Sequence, residues 1–147
     1  MAKKLFDRLT GVHVPHRKNT SGMEAVRIPT PSMVIIPTVM HIGAPAKPVV
    51  KAGDKVAVGQ LIADSGGFIS APIHASVSGT VKKVEDIVLS NGRMSPAIYI
   101  ESDGEMRPYE GIAAPKVDTL EELSEAIRAS GIVGLGGAAS RLPSSSP

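Results

Sequence analysis

The stretch from His41 to Val84 constrains the fold more tightly than any other part of the chain. It reads HIGAPAKPVVKAGDKVAVGQLIADSGGFISAPIHASVSGTVKKV. Two turn-forming cores, KAGDKVAVGQ and SAPIHASVSGT, are each flanked by short β-branched runs. Gly53-Asp54 falls between Val49-Val50 and Val56, and Gly59-Gln60 leads into Leu61-Ile62. Short apolar runs punctuated by Gly and Asp mark small strands joined by tight turns. Gly53, Gly59 and Gly79 are expected to supply the positive φ that such turns demand, with Gly79 in the turn of SVSGTV. The stretch is therefore predicted to be a compact all-β unit of two interlocked hairpins.

The flanking segments read differently. MVIIP at 33–37, bounded by Pro31 and Pro37, is predicted to be a buried strand. Asn91-Gly92 between IVL and AIYI predicts a type I′ hairpin over 85–101, with Pro96 marking an edge position. Residues 102–117 carry Gly, Pro and charge and read as a linker. DTLEELSEAIRASG is the one clear helix. Thr119 and Glu122 form a capping-box pattern, Leu120, Leu123, Ala126 and Ile127 share one face, and Gly131 reads as the C-cap. That apolar stripe needs a partner, so the helix is read as the start of a new unit. At the other end, Leu5, Phe6 and Leu9 suit one short helical turn, and GVHVPHRKNTSG reads as extended. His13 and His16 are spaced as a metal pair, but Pro15 between them argues against a regular helix presenting both.

Composition narrows the function classes. A chain of 147 residues holds one domain, or one domain and the start of another. With aromatics at only 3% and no Trp, the core must rest on Val, Ile, Leu, Ala and Met. The net charge of +2 comes without a basic block. Lys3-Lys4 and Arg17-Lys18 have no aromatics interleaved, which argues against nucleic-acid binding. The absence of cysteine excludes disulfides, cysteine-held metal and cysteine-ligated iron–sulfur clusters within these residues. No apolar run reaches the roughly 18 residues of a membrane helix. The start, MAKKLFDRLTG, lacks the apolar region of a signal peptide, so a cytoplasmic location is expected. No Ser, His and Asp spacing implies a nucleophilic site, and Asp54 and Asp64 sit at turns, where Asp is common for conformational reasons. His41 reads either as a ligand contact or as a satisfied structural histidine, the second being the commoner role, and the same holds for His74.

The stretch from His41 to Val84 resembles the biotinyl and lipoyl carriers, barrel-sandwich hybrids in which G-D-x-V-x-x-G-Q-x-L leads to a hairpin and then to A-P-x-x-G-x-V. In carriers the hairpin tip presents a lysine that takes the prosthetic group. The corresponding segment here is ADSGGFISAPIH, and no lysine lies between Lys55 and Lys82. The resemblance thus implies the fold and not the carrier function. The predicted class is mainly β, a barrel-sandwich hybrid with one C-terminal α-helix.

A narrower resemblance covers nearly the whole chain. GVHVPHRKNTSG, then HIGAPA with KAGDKVAVGQLI and SAPIHASVSGTV, then GIVGLGGA, are together similar to the N-terminal part of the C subunit of the Rnf electron-transport complex. That complex is an ion-translocating ferredoxin:NAD oxidoreductase. The related alternative is the A subunit of the Na⁺-translocating NADH:quinone reductase, which shares this domain type. The resemblance implies an extended segment at 1–32 that wraps the barrel, a barrel at 33–101, a linker at 102–117 and the start of a truncated NADH- and FMN-binding domain at 118–138. By the same resemblance Gly134, Gly136 and Gly137 occupy the glycine loop that binds flavin and NADH phosphates; from spacing alone that segment reads as a tight turn. Full-length members use FMN, NADH and [4Fe–4S] clusters, whereas no cofactor is expected in this chain itself. The implied partners are the other subunits of the complex, with no nucleic acid and no direct membrane span. The implied location is the inner face of the cell membrane, held there through those subunits. Members continue the loop with Gly-Phe-Pro-Thr; here 139–147 read ASRLPSSSP, a low-complexity stretch expected to be a disordered tail on a truncated chain.

Overall fold

The computed structural model describes residues 15–134. In chain order these form β1 (Met33–Pro37), β2 (Lys47–Pro48), β3 (Lys55–Val56), β4 (Leu61–Asp64), β5 (Ile73–His74), β6 (Gly79–Val88), β7 (Met94–Ser102) and helix α1 (Leu120–Ala129). The strands make a four-stranded sheet in the order β1-β7-β6-β3 and a three-stranded sheet in the order β2-β4-β5. Every strand pair is antiparallel. The mainly β barrel-sandwich architecture expected from the glycine pattern is the one observed.

Two turns of identical construction close the sandwich. In Lys51–Asp54 the Asp54 N–H donates to the Lys51 carbonyl at 3.1 Å, and the Lys51 N–H donates back to the Asp54 carboxylate at 2.8 Å. In Ala57–Gln60 the Gln60 N–H donates to the Ala57 carbonyl at 3.0 Å, and the Ala57 N–H donates to the Gln60 side-chain oxygen at 3.0 Å. The third residue of each turn is a glycine, Gly53 at φ +93° and Gly59 at φ +83°. These are type II turns, which need positive φ at that position. Each turn then exchanges two backbone bonds with one residue of another segment. Gly53 and Asp54 pair with Val81, and Gly59 and Gln60 pair with Ala75. Asp and Gln thus end the two turns because each side chain reaches back to the first N–H.

Alternation along the long strands sorts residues between the core and solvent. Ile98 and Ile100 of β7 are fully buried, opposite Ile36 and Val34 on one side and Val84 and Val81 on the other. Ile62 and Ala63 of β4, Ile73 of β5, and Ala75 and Val77 close the interior from the second sheet side. Burial of each such isoleucine contributes about 1.5–3 kcal/mol. The facing row on the outer side is Ile35, Tyr99 and Lys83, with the Lys83 ammonium 4.5 Å from the Tyr99 ring centroid. The buried apolar residues described are Ile, Val and Ala alone. Among the described residues no Leu or Met, also expected in the core, is buried; Met33 and Leu61, for example, are exposed. Strands of two to four residues leave a thin interior that suits β-branched side chains on a pleated surface.

Several local expectations change. Strand β1 is not buried on both sides. It is an edge strand with Ile36 turned inward and Met33 and Ile35 about half exposed. Gly79 is not in a turn; it opens β6, pairing with Val56 and Ser102. Its φ of +157° is positive, as expected, and a Cβ there would in addition sit 1.9 Å from the Glu101 carbonyl oxygen. The hairpin is longer than 85–101, since its strands begin at Gly79 and end at Ser102. Its turn is not type I′, because Asn91 does not take positive φ. Gly92 donates to the Leu89 carbonyl at 2.9 Å and Leu89 donates to the Arg93 carbonyl at 2.8 Å, with Gly92 at φ +77°. That is a three-residue loop ending in a left-handed glycine bulge. Pro96 is not on an edge strand either, since β7 is central. It is tolerated where β1 ends: Thr38 N–H donates to the Pro96 carbonyl at 2.8 Å, while the Thr38 carbonyl takes its proton from Ala46 at 3.0 Å.

Past β7, Val58 and Pro108 form a parallel bridge, and Tyr109 N–H donates to the Val58 carbonyl at 2.8 Å. Residues 103–109 are thereby laid along the barrel. Helix α1 starts on the predicted capping box, with Thr119 Oγ accepting from Glu122 N–H at 3.2 Å and the Glu122 carboxylate accepting from Thr119 N–H at 3.0 Å. Its C-cap is Ser130, one residue before the expected Gly131, which takes the next position at φ +70°. No residue of the helix is buried, and Leu120 is 79% exposed. Residues 15–32 are exposed throughout, and Ser32 meets the barrel through its carbonyl, which accepts from Ser102 N–H at 2.9 Å. The expected helical turn at Leu5, Phe6 and Leu9, His13, and the 139–147 tail lie outside the described residues.

Candidate functional site

Among the described residues, two places bear on the sites the sequence suggests, and a third, a cluster of polar groups, stands apart from them. The first is the tip between β4 and β5, where a carrier would present its lysine. Here the tip is Gly66-Gly67-Phe68, with Phe68 84% exposed and no amine. The loop 41–45 clamps it. Ala44 N–H donates to the Ile69 carbonyl at 2.9 Å, and Gly66 lies so close to Pro45 that a Cβ would sit 1.9 Å from its carbonyl oxygen. Gly66 N–H donates to Ser70 Oγ at 2.9 Å. His41 belongs to this clamp. Its Nε2 lies 3.1 Å from the Ala71 nitrogen and accepts its proton, so the Nδ1 carries the ring proton and donates to the Ile42 carbonyl at 3.0 Å. Of its two readings, the satisfied structural histidine is the one this geometry supports.

The second place is a cleft between the barrel and the end of helix α1. Met40, His41 and His74 line its barrel side and Ser130, Gly131 and Val133 its other side. The glycine segment leaves from this cleft. Gly134 is exposed, and Gly136 and Gly137 lie outside the described residues.

The third is not among the sites that the sequence suggests. Ser78, buried at the end of the β5–β6 connection, donates its hydroxyl proton to Asp103 Oδ1 at 2.6 Å and accepts from Arg107 N–H at 3.0 Å. The Arg107 guanidinium donates to Asp103 Oδ2 at 2.6 Å, and Glu105 N–H donates to Oδ1 at 3.0 Å. These donors hold the Asp103 carboxyl well below its ordinary value of 3.8, at about 2, with the Ser78 hydroxyl contributing most, then Arg107, then Glu105 N–H. With both carboxylate oxygens occupied by donors and the serine proton committed to it, the cluster fastens residues 103–107 to the barrel. A serine so held has no free base to activate it. Asp103 at the end of a strand is the available sequence signal, but its partner Ser78 is 25 residues away. Among the described residues no three His, Asp or Glu side chains converge as a metal site.

Two small antiparallel sheets closed by paired type II turns, with a clamped tip that carries no lysine, make the barrel-sandwich hybrid that the sequence suggests. The comparison with known proteins agrees and goes further. Residues 6–105 match the family described as the RnfC barrel sandwich hybrid domain, and the chain belongs to that family. It is 40% identical over 135 residues to the C subunit of the Na⁺-translocating ferredoxin:NAD⁺ oxidoreductase complex of Acetobacterium woodii, covering 87% of this chain and 30% of that protein. It is 43% identical over 132 residues to the C subunit of the proton-translocating ferredoxin:NAD⁺ oxidoreductase complex of Clostridium ljungdahlii, covering 87% and 29%. Against the C subunit of the ion-translocating oxidoreductase complex of Rhodobacter capsulatus the identity is 41% over 133 residues, covering 87% and 26%. The chain thus spans less than a third of the length of these relatives.

Proposed function

We propose that this chain is the N-terminal, barrel-bearing part of an RnfC protein, and that the barrel is a scaffold and docking module. The complex it serves moves electrons between NADH and ferredoxin and couples that transfer to ion transport. The observation that carries this reading is the match over residues 6–105, with 40% and 43% identity to relatives named as the C subunits of such complexes. One of these relatives is named for Na⁺ and the other for protons, at similar identity. The barrel is therefore assigned no part in choosing the ion.

Electron carriers belong elsewhere in this reading. FMN and NADH bind at a glycine loop that begins with Gly134, Gly136 and Gly137 and is completed by further chain, as a phosphate site needs several convergent N–H donors. Iron–sulfur clusters need cysteines, and these residues contain none. The partners are the other subunits, which hold the protein at the inner face of the membrane. In support, no helix among the described residues is long and apolar enough to cross a membrane.

Affinity purification of the tagged chain from gently solubilised membranes of its own cells tests the proposal. The integral subunits of an ion-translocating oxidoreductase should co-elute, and a carbonate wash should release the chain from the membrane fraction. Recovery of the chain free of any membrane subunit would reject it.

A further inference from the structure

We propose that Gly131 is the positioning residue through which the barrel aims the glycine segment; its nucleotide consequence rests on the reading of that segment given above. No side chain of helix α1 is fully buried, and only Ser124, Ala126 and Ile127 are partly buried, so its own apolar face holds its direction weakly. Its close approach to the barrel is at its C-terminal end. Gly131 has φ +70°, and a Cβ there would lie 2.4 Å from the Pro72 carbonyl oxygen and 3.5 Å from His74 Nδ1. The Gly131 backbone therefore rests directly on the entry to β5. The surface it rests on is firm: His41 holds the neighbouring Ala71 N–H, and Ala44 holds the Ile69 carbonyl. Gly134 comes three residues later, with Val133 in a β-bridge between them, so the Gly131 contact is the first fastening that directs the chain toward Gly134.

Gly131 must be glycine for two separable reasons. A helix end with a left-handed residue needs only positive φ, which Asn also tolerates. The contact with Pro72 needs in addition that there be no Cβ at all. Gly92 has the first requirement alone, with φ +77° and nothing within 4 Å of a Cβ. Gly131→Asn and Gly92→Asn thus separate a docking role from an ordinary chain reversal.

The test compares both variants in this chain by amide hydrogen exchange, by the His74 ring resonances and by thermal melting of the barrel. Gly131→Asn should speed exchange at residues 131–134 by about tenfold, shift the His74 ring resonances and leave the barrel midpoint within about 2 °C. Gly92→Asn should leave the exchange and the His74 ring unchanged. Wild-type exchange and wild-type His74 resonances in Gly131→Asn would overturn the inference. So would loss of cooperative barrel melting, since Gly131 would then hold the barrel together and not aim the glycine segment. A second arm grafts residues 1–134 onto the remainder of the Acetobacterium woodii protein and measures FMN and NADH affinity. Gly131→Asn should weaken binding about tenfold, and equal affinity would overturn the positioning role. A graft with the wild-type glycine that binds neither nucleotide would reject the nucleotide reading, while the exchange data still decide the docking.

Discussion

At the scale of single residues, the chain is governed by places where backbones meet with no room for a side chain. Gly79 is the sharpest of these, pressed against the Glu101 carbonyl. Gly79→Val forces β6 and β7 apart at the point where β3 also pairs, and overpacking of this kind costs about 1–3 kcal/mol. For a domain of this size each kcal/mol lowers the midpoint by about 4–8 °C. Thermal melting of Gly79→Val should therefore show a clear drop, and a wild-type midpoint would mean that the strands are further apart there. The glycine requirement is readable from GTV beside β-branched residues. Its cause is not, because Glu101 is far along the chain and only pairing brings it close.

Asp103 acts at the same scale. Its folded pKa of about 2 lies below the unfolded value near 3.8, so its contribution to stability is present above 3.8 and is lost as pH falls through about 2. Asp103→Asn should therefore be less stable than wild type at neutral pH, with the gap narrowing as pH falls from about 4 toward 2. Urea titrations at a series of pH values measure this directly. A gap independent of pH would assign the loss to packing and not to the carboxylate. Its place at the end of a strand is the one local sign, since 102–117 reads as a linker and the Ser78 hydroxyl that dominates its shift is brought beside it only by the β6–β7 pairing.

At the scale of elements, local chemistry is legible wherever the element closes on itself. Both type II turns are visible as glycine followed by a residue whose side chain reaches back three positions. The capping box of α1 is equally visible in Thr119 and Glu122. Elements whose character depends on neighbours are not legible in this way. Pro96 lacks a donor and reads as an edge residue, but Ala46 supplies the proton that Thr38 would otherwise miss. MVIIP is apolar at every position and reads as buried on both sides, yet the sheet order leaves it at an edge. For α1 the expected outcome is specific. Thr119→Ala removes the cap that accepts the Glu122 N–H, at a cost of about 0.5–2 kcal/mol to the helix. Because no helix residue is fully buried, hydrogen exchange in 120–129 should quicken while the barrel midpoint stays at its wild-type value. A fall in that midpoint would show that helix and barrel melt as one unit.

At the scale of the whole molecule, the sandwich, its turns and the family are recoverable because the diagnostic residues lie in one continuous stretch. The candidate nucleotide site is not, as only Gly134 of its three glycines falls among the described residues. What the described structure offers is a small aliphatic barrel with a clamped, lysine-free tip, a polar fastening at Ser78 and Asp103, and a helix end seated on β5. Isoalloxazine and nicotinamide rings need a largely apolar pocket of about 300–1,000 Å³; the cleft beside Gly131 is about 230 Å³, and a second, lined by Lys55, Gln60, Arg107 and Tyr109, is about 320 Å³, both open to solvent. The ultraviolet–visible spectrum of the purified chain after gel filtration in excess FMN is the direct measurement. A scaffold should elute colourless, with no flavin bands and no dye reduction on adding NADH. Stoichiometric flavin carried through the column would contradict the scaffold role and locate a cofactor site in the barrel or between copies of it.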